Sequence, residues 1–129
     1  IREFNVQPPD PSVPAGSLSG GNLQKLVIAR EFYRHPRLII AENPTQGLDI
    51  QAMEEVWRRI LAAREHAGIL LVTSDLTEAL TLADSFAVMY GGRFIDVFPR
   101  EDRAKLESIG LMLAGVKPEE HSTAGESEA

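Results

Sequence analysis

A serine and two glycines stand at the start of an amphipathic stretch, and this combination can bind a phosphate group. Ser19, Gly20 and Gly21 precede the stretch directly. Glycines let backbone N–H groups approach an anion closely, and the positive end of a helix dipole lies at the same place. The serine hydroxyl adds a hydrogen-bond donor, so several charge-assisted bonds could hold a phosphate. The alternative is that the three residues are only a helix cap after a linker.

The residues around this serine predict a linker, a helix and a strand. Residues 7–15 carry four prolines, which predict an extended linker. Ser19 is the expected N-cap of a helix, and apolar residues follow at helical spacing until Pro36 ends it. Residues 38–41 are a continuous apolar run, which predicts a strand buried on both faces.

A second helix and strand repeat this order, and a third helix follows. The second helix is strongly amphipathic, with Gly68 as its predicted C-terminal stop. Its apolar face is Met53, Val56, Trp57, Ile60 and Leu61. Trp57 is expected to pack in the core rather than stack on a base. Residues 69–72 predict a second buried strand, and Asp75 and Glu78 have the spacing of a capping box. This alternation predicts an α/β fold with a parallel sheet and right-handed crossovers.

The last third of the chain predicts a hairpin, a helix and a tail. Residues 86–90 and 94–98 flank the glycines at 91–92, a pattern typical of a two-residue hairpin, which we place at the sheet edge. Residues 100–114 predict a last helix. Residues 116–129 are small, polar and acidic, which predicts a disordered tail.

Composition excludes few classes of function. The 129 residues are 43% hydrophobic, so the chain can form one globular core. A net charge of −6 with no basic stripe argues against a nucleic-acid partner. The lack of cysteine excludes disulfides and thiolate metal sites and fits a reducing compartment. No apolar run is long enough to cross a membrane, so we expect any membrane role to act through a partner.

Four short motifs, in order, resemble those of the ABC-transporter ATPases. Residues 18–25 resemble the signature motif, residues 37–45 a modified Walker B strand, residues 47–49 the D-loop, and residues 71–75 the switch segment. The chain is thereby identified as the C-terminal part of an ABC nucleotide-binding domain. The implied fold is the C-terminal portion of a P-loop NTPase-like three-layer α/β domain, with parallel strands and an edge hairpin.

The resemblance also implies a division of the chain. Residues 1–16 would be a linker and the end of a helical subdomain, residues 17–115 the C-terminal part of the nucleotide-binding domain, and residues 116–129 the tail. No P-loop of the GxxxxGK[ST] type occurs, so the chain alone is not expected to bind ATP tightly. We expect Ile1 to be an artificial start. A sheet without its P-loop strand and helix has a bare edge and an uncovered apolar face, which predicts self-association.

The implied role of the signature motif is to bind ATP in trans. In the family, two nucleotide-binding domains sandwich ATP, and the signature motif of one covers the nucleotide held by the P-loop of the other. The residues expected to contact the nucleotide are Ser19, Gly20, Gly21, Asn22, Gln24 and Asp49.

Three expected catalytic positions depart from the family pattern. Glu42 and Asn43 stand where the family has an aspartate and then a glutamate, and Ser74 stands where a histidine is expected. An amide cannot accept a proton, and general-base catalysis contributes about 10²–10⁴ in rate. Glu42 keeps a carboxylate at the Mg²⁺ position, but its longer side chain is a poor match to octahedral geometry. The expected site is therefore degenerate, with slow residual hydrolysis left open.

Three further features look like the second nucleotide-binding domain of tandem ATPases that energise simple-sugar or nucleoside importers. They are Asn22, Gln24 and Lys25 after the glycines, the Pro-Thr-x-Gly-Leu-Asp run at residues 44–49, and the Ala-Val-Met-Tyr-x-Gly hairpin at residues 87–92. That resemblance implies ATP and Mg²⁺ in the intact parent, an ATPase coupled to transport. It implies a partner nucleotide-binding domain, membrane permease subunits and, indirectly, a substrate-binding protein, at the cytoplasmic face of the cell membrane. Two other functions stay open: a catalytically dead ABC-like interaction module, and an ABC ATPase without a permease that acts on ribosomes or in DNA repair.

Overall fold

The computed structural model describes residues 2–118, which divide into two compact units. The first unit is Ile1–Leu82 and the second is Ala83–Ala129. Ile1 and residues 119–129, which include most of the predicted tail, lie outside the described residues. The domain bounds at residues 16 and 115 stay a prediction.

The described part of the first unit alternates helix and strand. Its elements are α1 (Gly20–Tyr33), β1 (Leu38–Glu42), α2 (Ile50–Ala63), β2 (Gly68–Val72) and α3 (Leu76–Leu82). Two short 3-10 turns precede them, Arg2–Phe4 and Ala15–Ser17, and the residues between the turns have no regular helix or strand. The predicted lack of regular helix over residues 7–15 is therefore confirmed, apart from the turn that begins at Ala15, and the role of these residues as a linker stays a prediction.

The first 3-10 turn is tied to α2 by a basic side chain. Arg59 Nη1 lies 2.7 Å from Glu3 Oε1, and its guanidinium lies 4.3 Å from the centroid of the Phe4 ring. Val6, just beyond the turn, is buried. These contacts hold the beginning of the described chain on the first unit although the following segment is irregular.

The helix predicted after Ser19 is confirmed. Ser19 has extended backbone angles and is the N-cap, with its hydroxyl accepting a hydrogen bond from the Asn22 N–H. The helix ends at Tyr33, and Pro36 follows. Proline has no N–H to continue the helical ladder, which accounts for the stop.

The strands β1 and β2 form a parallel pair, in register from Leu38 opposite Gly68 to Glu42 opposite Val72. On one face, Ile39 is buried, and Ile69 and Leu71 pack against the core cluster of α2 and α3. The other face is exposed. Its apolar side chains, with exposures of 49–67%, are Leu38, Ile40, Leu70 and Val72.

The prediction that both strands are buried on both faces is therefore wrong for the described residues. Side chains alternate across a strand, so helices on one side of the sheet cover only every second residue. The expected uncovered apolar face is confirmed.

The amphipathic pattern of α2 is confirmed, but its predicted end is wrong. Val56 and Ile60 are buried, and Trp57 packs against their cluster. Burial of each aliphatic side chain contributes about 1.5–3 kcal/mol. The helix ends at Ala63 with Arg64 as its C-cap. Gly68 instead begins β2, because its N–H pairs with the Arg37 carbonyl across the sheet.

Only half of the predicted capping box forms at α3. The Glu78 N–H donates to Asp75 Oδ1 at 3.1 Å. The return bond is absent, because the Asp75 N–H donates to the Thr73 hydroxyl at 3.0 Å and the Glu78 carboxylate has other partners. The prediction is therefore confirmed for the Asp75 side chain and wrong for the Glu78 side chain.

The second unit begins with the predicted hairpin. β3 (Ser85–Tyr90) and β4 (Arg93–Pro99) are antiparallel. The turn glycines Gly91 and Gly92 have φ of 54° and 76°, a conformation that side chains disfavour and that matches the twist of a hairpin. Among the described residues these strands pair only with each other. The hairpin is confirmed, and its place at the edge of the parallel sheet stays a prediction.

The single helix predicted over residues 100–114 is wrong, because two short helices form instead. They are α4 (Arg103–Glu107) and α5 (Ile109–Leu113). Asp102 caps α4 by accepting from the Lys105 N–H, which delays the start, and Ser108 separates the helices. The buried side chains of this unit include Phe86, Val88, Phe98, Ile109 and Met112. Helical periodicity is the same in both cases, so the pattern did not reveal the break.

An ion pair joins β4 to α4. Lys105 Nζ lies 2.9 Å from Asp96 Oδ2, and Asp96 Oδ1 accepts from the Val97 N–H at 2.8 Å. The hydrogen bond from Lys105, followed by that from Val97, holds the pKa of Asp96 below its ordinary value of 3.8. A lowered pKa means that the ionised carboxylate is favoured in the folded state.

We expect Asp96→Asn to destabilise the second unit at neutral pH and to lose this effect in acid. The Asp96 contribution is fully present above about pH 4–5 and is lost as the pH falls through the lowered folded-state pKa, because the unfolded state protonates first. The measurement is urea unfolding from pH 2 to 7, followed by the amide signals of β3 and β4. A difference between the two proteins that is the same at every pH would contradict the assignment.

Candidate functional site

A small polar pocket of about 100 Å³ lies where the N-terminal ends of α1 and α2 meet. Its walls are formed by Ser19, Gly21, Asn22, Lys25, Gly47, Leu48, Asp49 and Ala52. The structure therefore brings together four of the six residues predicted to contact nucleotide: Ser19, Gly21, Asn22 and Asp49. They come from segments more than twenty residues apart in the sequence.

Ser19 has a hydrogen-bond donor to spare. Its Oγ accepts from the Asn22 N–H at 3.4 Å and from Asn22 Nδ2 at 3.0 Å. Both bonds use the oxygen as an acceptor, so the O–H proton can be donated to another group. The helix-cap interpretation and the phosphate interpretation are thus compatible, since the cap leaves the donor that an anion needs.

The two glycines leave the backbone accessible. A Cβ atom at Gly20 would have no heavy atom within 4 Å, and one at Gly21 would lie 3.6 Å from Leu48 Cδ2. Neither residue has a positive φ. Packing and backbone conformation therefore do not require glycine at these positions, and the predicted contact of these N–H groups with a phosphate stays a prediction.

Asn22 is engaged within the chain. Its Oδ1 accepts from the Gln7 N–H at 2.9 Å, while its Nδ2 donates to Ser19. The side chain thereby orients the serine and tethers the irregular segment to α1. Its predicted contact with nucleotide stays a prediction.

Asp49 caps α2, and Lys25 shares its pocket. The Asp49 carboxylate accepts from the Ala52 N–H at 2.8 Å. The ends of α1 and α2 each place partial positive charge here, and the Lys25 ammonium belongs to a pocket-lining side chain. These groups favour an anion, and the Asp49 charge is offset by the end of its own helix. Lys25 belongs to the signature-like segment, residues 18–25, but was not predicted to contact nucleotide.

Gln24 and Glu42 lie elsewhere. Together with Gly20 they line a larger and mostly apolar groove of about 410 Å³. Gln24 Nε2 donates to the Pro44 carbonyl at 2.5 Å, so its amide ties α1 to the loop after β1. Within residues 2–118, no group of three His, Cys, Asp or Glu side chains is placed to hold a metal ion. The predicted Mg²⁺ role of Glu42 stays a prediction.

Asn43 and Ser74, two of the three altered positions, are in contact. The Ser74 N–H donates to Asn43 Oδ1 at 3.3 Å, and the Asn43 N–H donates to the Val72 carbonyl at 2.8 Å. Asn43 has a φ of 44°, a left-handed conformation that asparagine tolerates better than most residues. The asparagine therefore has a conformational reason to stand here, in addition to the predicted loss of a catalytic base.

A buried polar network lies beside the site and was missed from the sequence. Glu78 is 1% exposed, and its Oε1 accepts from Thr45 Oγ1 at 2.7 Å and from Trp57 Nε1 at 3.0 Å. Trp57 packs as predicted, but its N–H also has this partner. The capping-box spacing obscured the role of Glu78. The available signal was that a buried indole N–H needs an acceptor.

Comparisons with known proteins agree with the motifs. The chain is 41% identical over 117 residues to a guanosine import ATP-binding protein of Bacillus subtilis, covering 89% of this chain and 22% of that protein. It is 45% identical over 102 residues to a glucose import ATP-binding protein of Haloferax volcanii, covering 78% and 18%. A ribose import ATP-binding protein of Yersinia pestis is 38% identical over 117 residues, covering 90% and 23%. No family model matches the chain.

Solved structures show the same fold. The ATP-binding subunit of an ABC transporter superposes with a TM-score of 0.69 at 29% identity, covering 78% of this chain and 45% of that one. The chain matches the C-terminal part of an ABC-transporter nucleotide-binding domain. The ATP-binding cassette MJ0796, in a dimer with ADP and Pi, has a TM-score of 0.68 at 22% identity, covering 78% and 44%, and supports the fold alone.

The alignments cover only a small part of each relative's sequence. The chain spans about a fifth of the length of these import ATP-binding proteins. Within the described residues, no helix is long and apolar enough to span a membrane.

We expect Gly20→Ala to separate stability from nucleotide binding. Alanine meets open space at the start of α1 and restricts the unfolded chain, so the free energy of unfolding should rise by about 0.4–1 kcal/mol. The added methyl group should obstruct an anion at the backbone N–H groups and lower turnover in a full-length protein that carries this sequence. Thermal unfolding of the chain and ATP hydrolysis by the full-length protein measure the two effects.

The matched control is Gly16→Ala, because Gly16 also has open space around a built Cβ but lies before α1, outside the first turn whose N–H groups are proposed to bind the anion. Equal turnover for both variants would contradict a phosphate-binding role for Gly20.

Proposed function

We propose that this chain supplies the signature motif and D-loop to a composite ATP site in an importer of simple sugars or nucleosides. Ser19, Gly20, Gly21 and Asp49 cover an ATP molecule that the P-loop of a partner domain holds. The cofactors of the intact protein are ATP and Mg²⁺. The observation that carries the proposal is the polar pocket that unites Ser19 with Asp49.

The geometry supports a terminal phosphate as the ligand of this pocket. The spare Ser19 proton, the accessible N–H groups of α1 and the Lys25 side chain converge on one small volume. Bonds from such donors to a charged oxygen are about twice as strong as neutral ones. A phosphate tail can reach them where a bulkier group cannot, because the pocket holds only about 100 Å³.

The hydrolytic position of the chain's own half is degenerate in this proposal. Asn43 cannot act as a general base, and its amide is occupied by the Ser74 N–H. Glu42 is exposed at the end of β1 and keeps a carboxylate that could contact Mg²⁺ through water. Hydrolysis therefore occurs at the partner's P-loop, with this chain as the donor of the covering residues.

The names of the relatives support the substrate class and the location. They include import proteins for guanosine, glucose and ribose. We infer a domain on the cytoplasmic face of the cell membrane that pairs with a second nucleotide-binding domain and with permease subunits, and indirectly with a substrate-binding protein. The solute itself is selected by those partners.

We expect Ser19→Arg to lower ATP turnover by about 10²–10³, in the range found when a preorganised donor is removed. The long side chain fills the pocket and removes the hydroxyl. Asn43→Gly should leave turnover within about twofold, since it removes an amide that cannot act as a base. Glycine is preferred to alanine here because Asn43 has a positive φ. The measurement is steady-state hydrolysis by the full-length protein in its transporter.

Ser17→Arg is the matched control, because Ser17 is exposed two residues earlier and does not line the pocket. If Ser19→Arg leaves turnover intact, the signature role is wrong, and an interaction module becomes the better interpretation. If Asn43→Gly abolishes turnover, the chain's own half is catalytic.

We also infer that the isolated chain self-associates through its exposed sheet face. Leu70 and Ile40 are more than half exposed at adjacent positions of the parallel pair. An apolar face of this kind favours association. Ile40→Lys should shift the chain towards monomer in light scattering, whereas Gln51→Lys, on the surface of α2, should not. A wild-type chain that is monomeric at high concentration would contradict this inference.

A further inference from the structure

We propose that Glu78 is a positioning residue that holds the loop between β1 and α2, residues 43–49, in the geometry that presents Asp49 to nucleotide. The inference rests on the proposed function and adds a residue that lies outside the pocket. Glu78 is on α3, and the contact that matters is its bond to the Thr45 hydroxyl, 2.7 Å long.

The network is placed to control the loop. Thr45 is 6% exposed and lies near the middle of the loop. The Glu78 carboxylate therefore contacts the loop on its buried side. The Leu48 N–H donates to the Thr45 carbonyl at 3.1 Å. A shift of Thr45 should therefore also move Leu48, which lines the pocket beside Asp49.

The remaining anchors of the loop lie at its two ends, and the Asp49 cap of α2 is the anchor at the far end. Gln24 holds the Pro44 carbonyl, and the Asn43 backbone pairs with β2. Between these ends, the described residues show one side-chain hydroxyl anchor, that of Thr45, two residues before Gly47, which has a φ of 75°. Loss of that anchor should release the residues between Thr45 and the cap at Asp49 and leave the start of the loop in place.

Burying a carboxylate at position 78 is unfavourable unless it accepts hydrogen bonds there. Burial of a charge is unfavourable unless hydrogen bonds compensate, and an apolar side chain of similar volume would often be as stable. Glu78 receives two donors, Thr45 and Trp57, from the loop and from α2. One oxygen thus fixes α3, α2 and the loop relative to one another, which an apolar contact does not do as precisely.

The test begins with the complete 129-residue chain and needs no ATP. Trp57 is its single tryptophan, so its indole N–H gives one identifiable NMR signal. Thr45→Val removes the hydroxyl at nearly constant volume, and Thr45→Ser keeps it. We expect Thr45→Val to shift or broaden the amide signals of residues 46–49, with Thr45→Ser close to wild type. Glu78→Gln should in addition move the indole signal.

The control for the charge change is Glu54→Gln, on the exposed side of α2, which should leave the loop and indole signals unchanged. Because Glu78→Gln could unfold the chain, the Thr45 pair decides the outcome. If the signals of residues 46–49 are the same in Thr45→Val as in the wild type, the proposed anchoring is wrong.

The second measurement is ATP hydrolysis by the full-length protein. Thr45→Val should lower kcat by about 10- to 100-fold with KM within about twofold, because misplacement by about 1 Å can cost 10²-fold in rate. Thr45→Ser should restore kcat. An unchanged kcat in Thr45→Val, in a protein whose Ser19→Arg variant is inactive, would overturn the positioning role. If Ser19→Arg is active, the proposed function fails, and the NMR result still decides whether Glu78 holds the loop.

Discussion

The parallel register of β1 and β2 is the constraint on which the candidate site depends. Because Glu42 lies opposite Val72, both strands end at the same edge of the sheet. The residues that follow them, Asn43 and Ser74, meet there and bond to each other. A shift of the register by one residue would separate these contacts and would also reverse the buried and exposed faces.

The pocket of the candidate site is formed at the N-caps of two helices. Ser19 and Asp49 each satisfy an N–H of the first turn of their own helix, and the two helices begin beside the same pocket. Unsatisfied N–H groups at a helix start are a general feature of helices. Here, one cap oxygen also leaves a proton that can be donated. The stabilising cap and the ligand-binding group are therefore the same side chain, and the two roles do not compete.

Local features of the fold could be predicted because they depend on few residues. The two glycines of the hairpin impose a turn by their backbone conformation, and a serine followed by helix-forming residues marks a helix start. Features that depend on neighbours could not. Helical periodicity did not show the break at Ser108, and apolar residues in β1 did not show that one face lacks a cover. The spacing of Asp75 and Glu78 fits a cap equally well whether the glutamate turns outward or inward.

The amino-acid sequence by itself determined the family resemblance, the order of helices and strands, and the residues that could bind phosphate. These follow from side-chain type and short-range spacing, which the chain carries wherever it folds. Only the tertiary structure decided that Ser19 and Asp49 share a pocket, that Gln24 faces the loop instead, and that Glu78 is buried with Thr45 and Trp57. Those contacts join residues twenty or more positions apart, and the packing of the helices on the parallel strands selects which side chains meet.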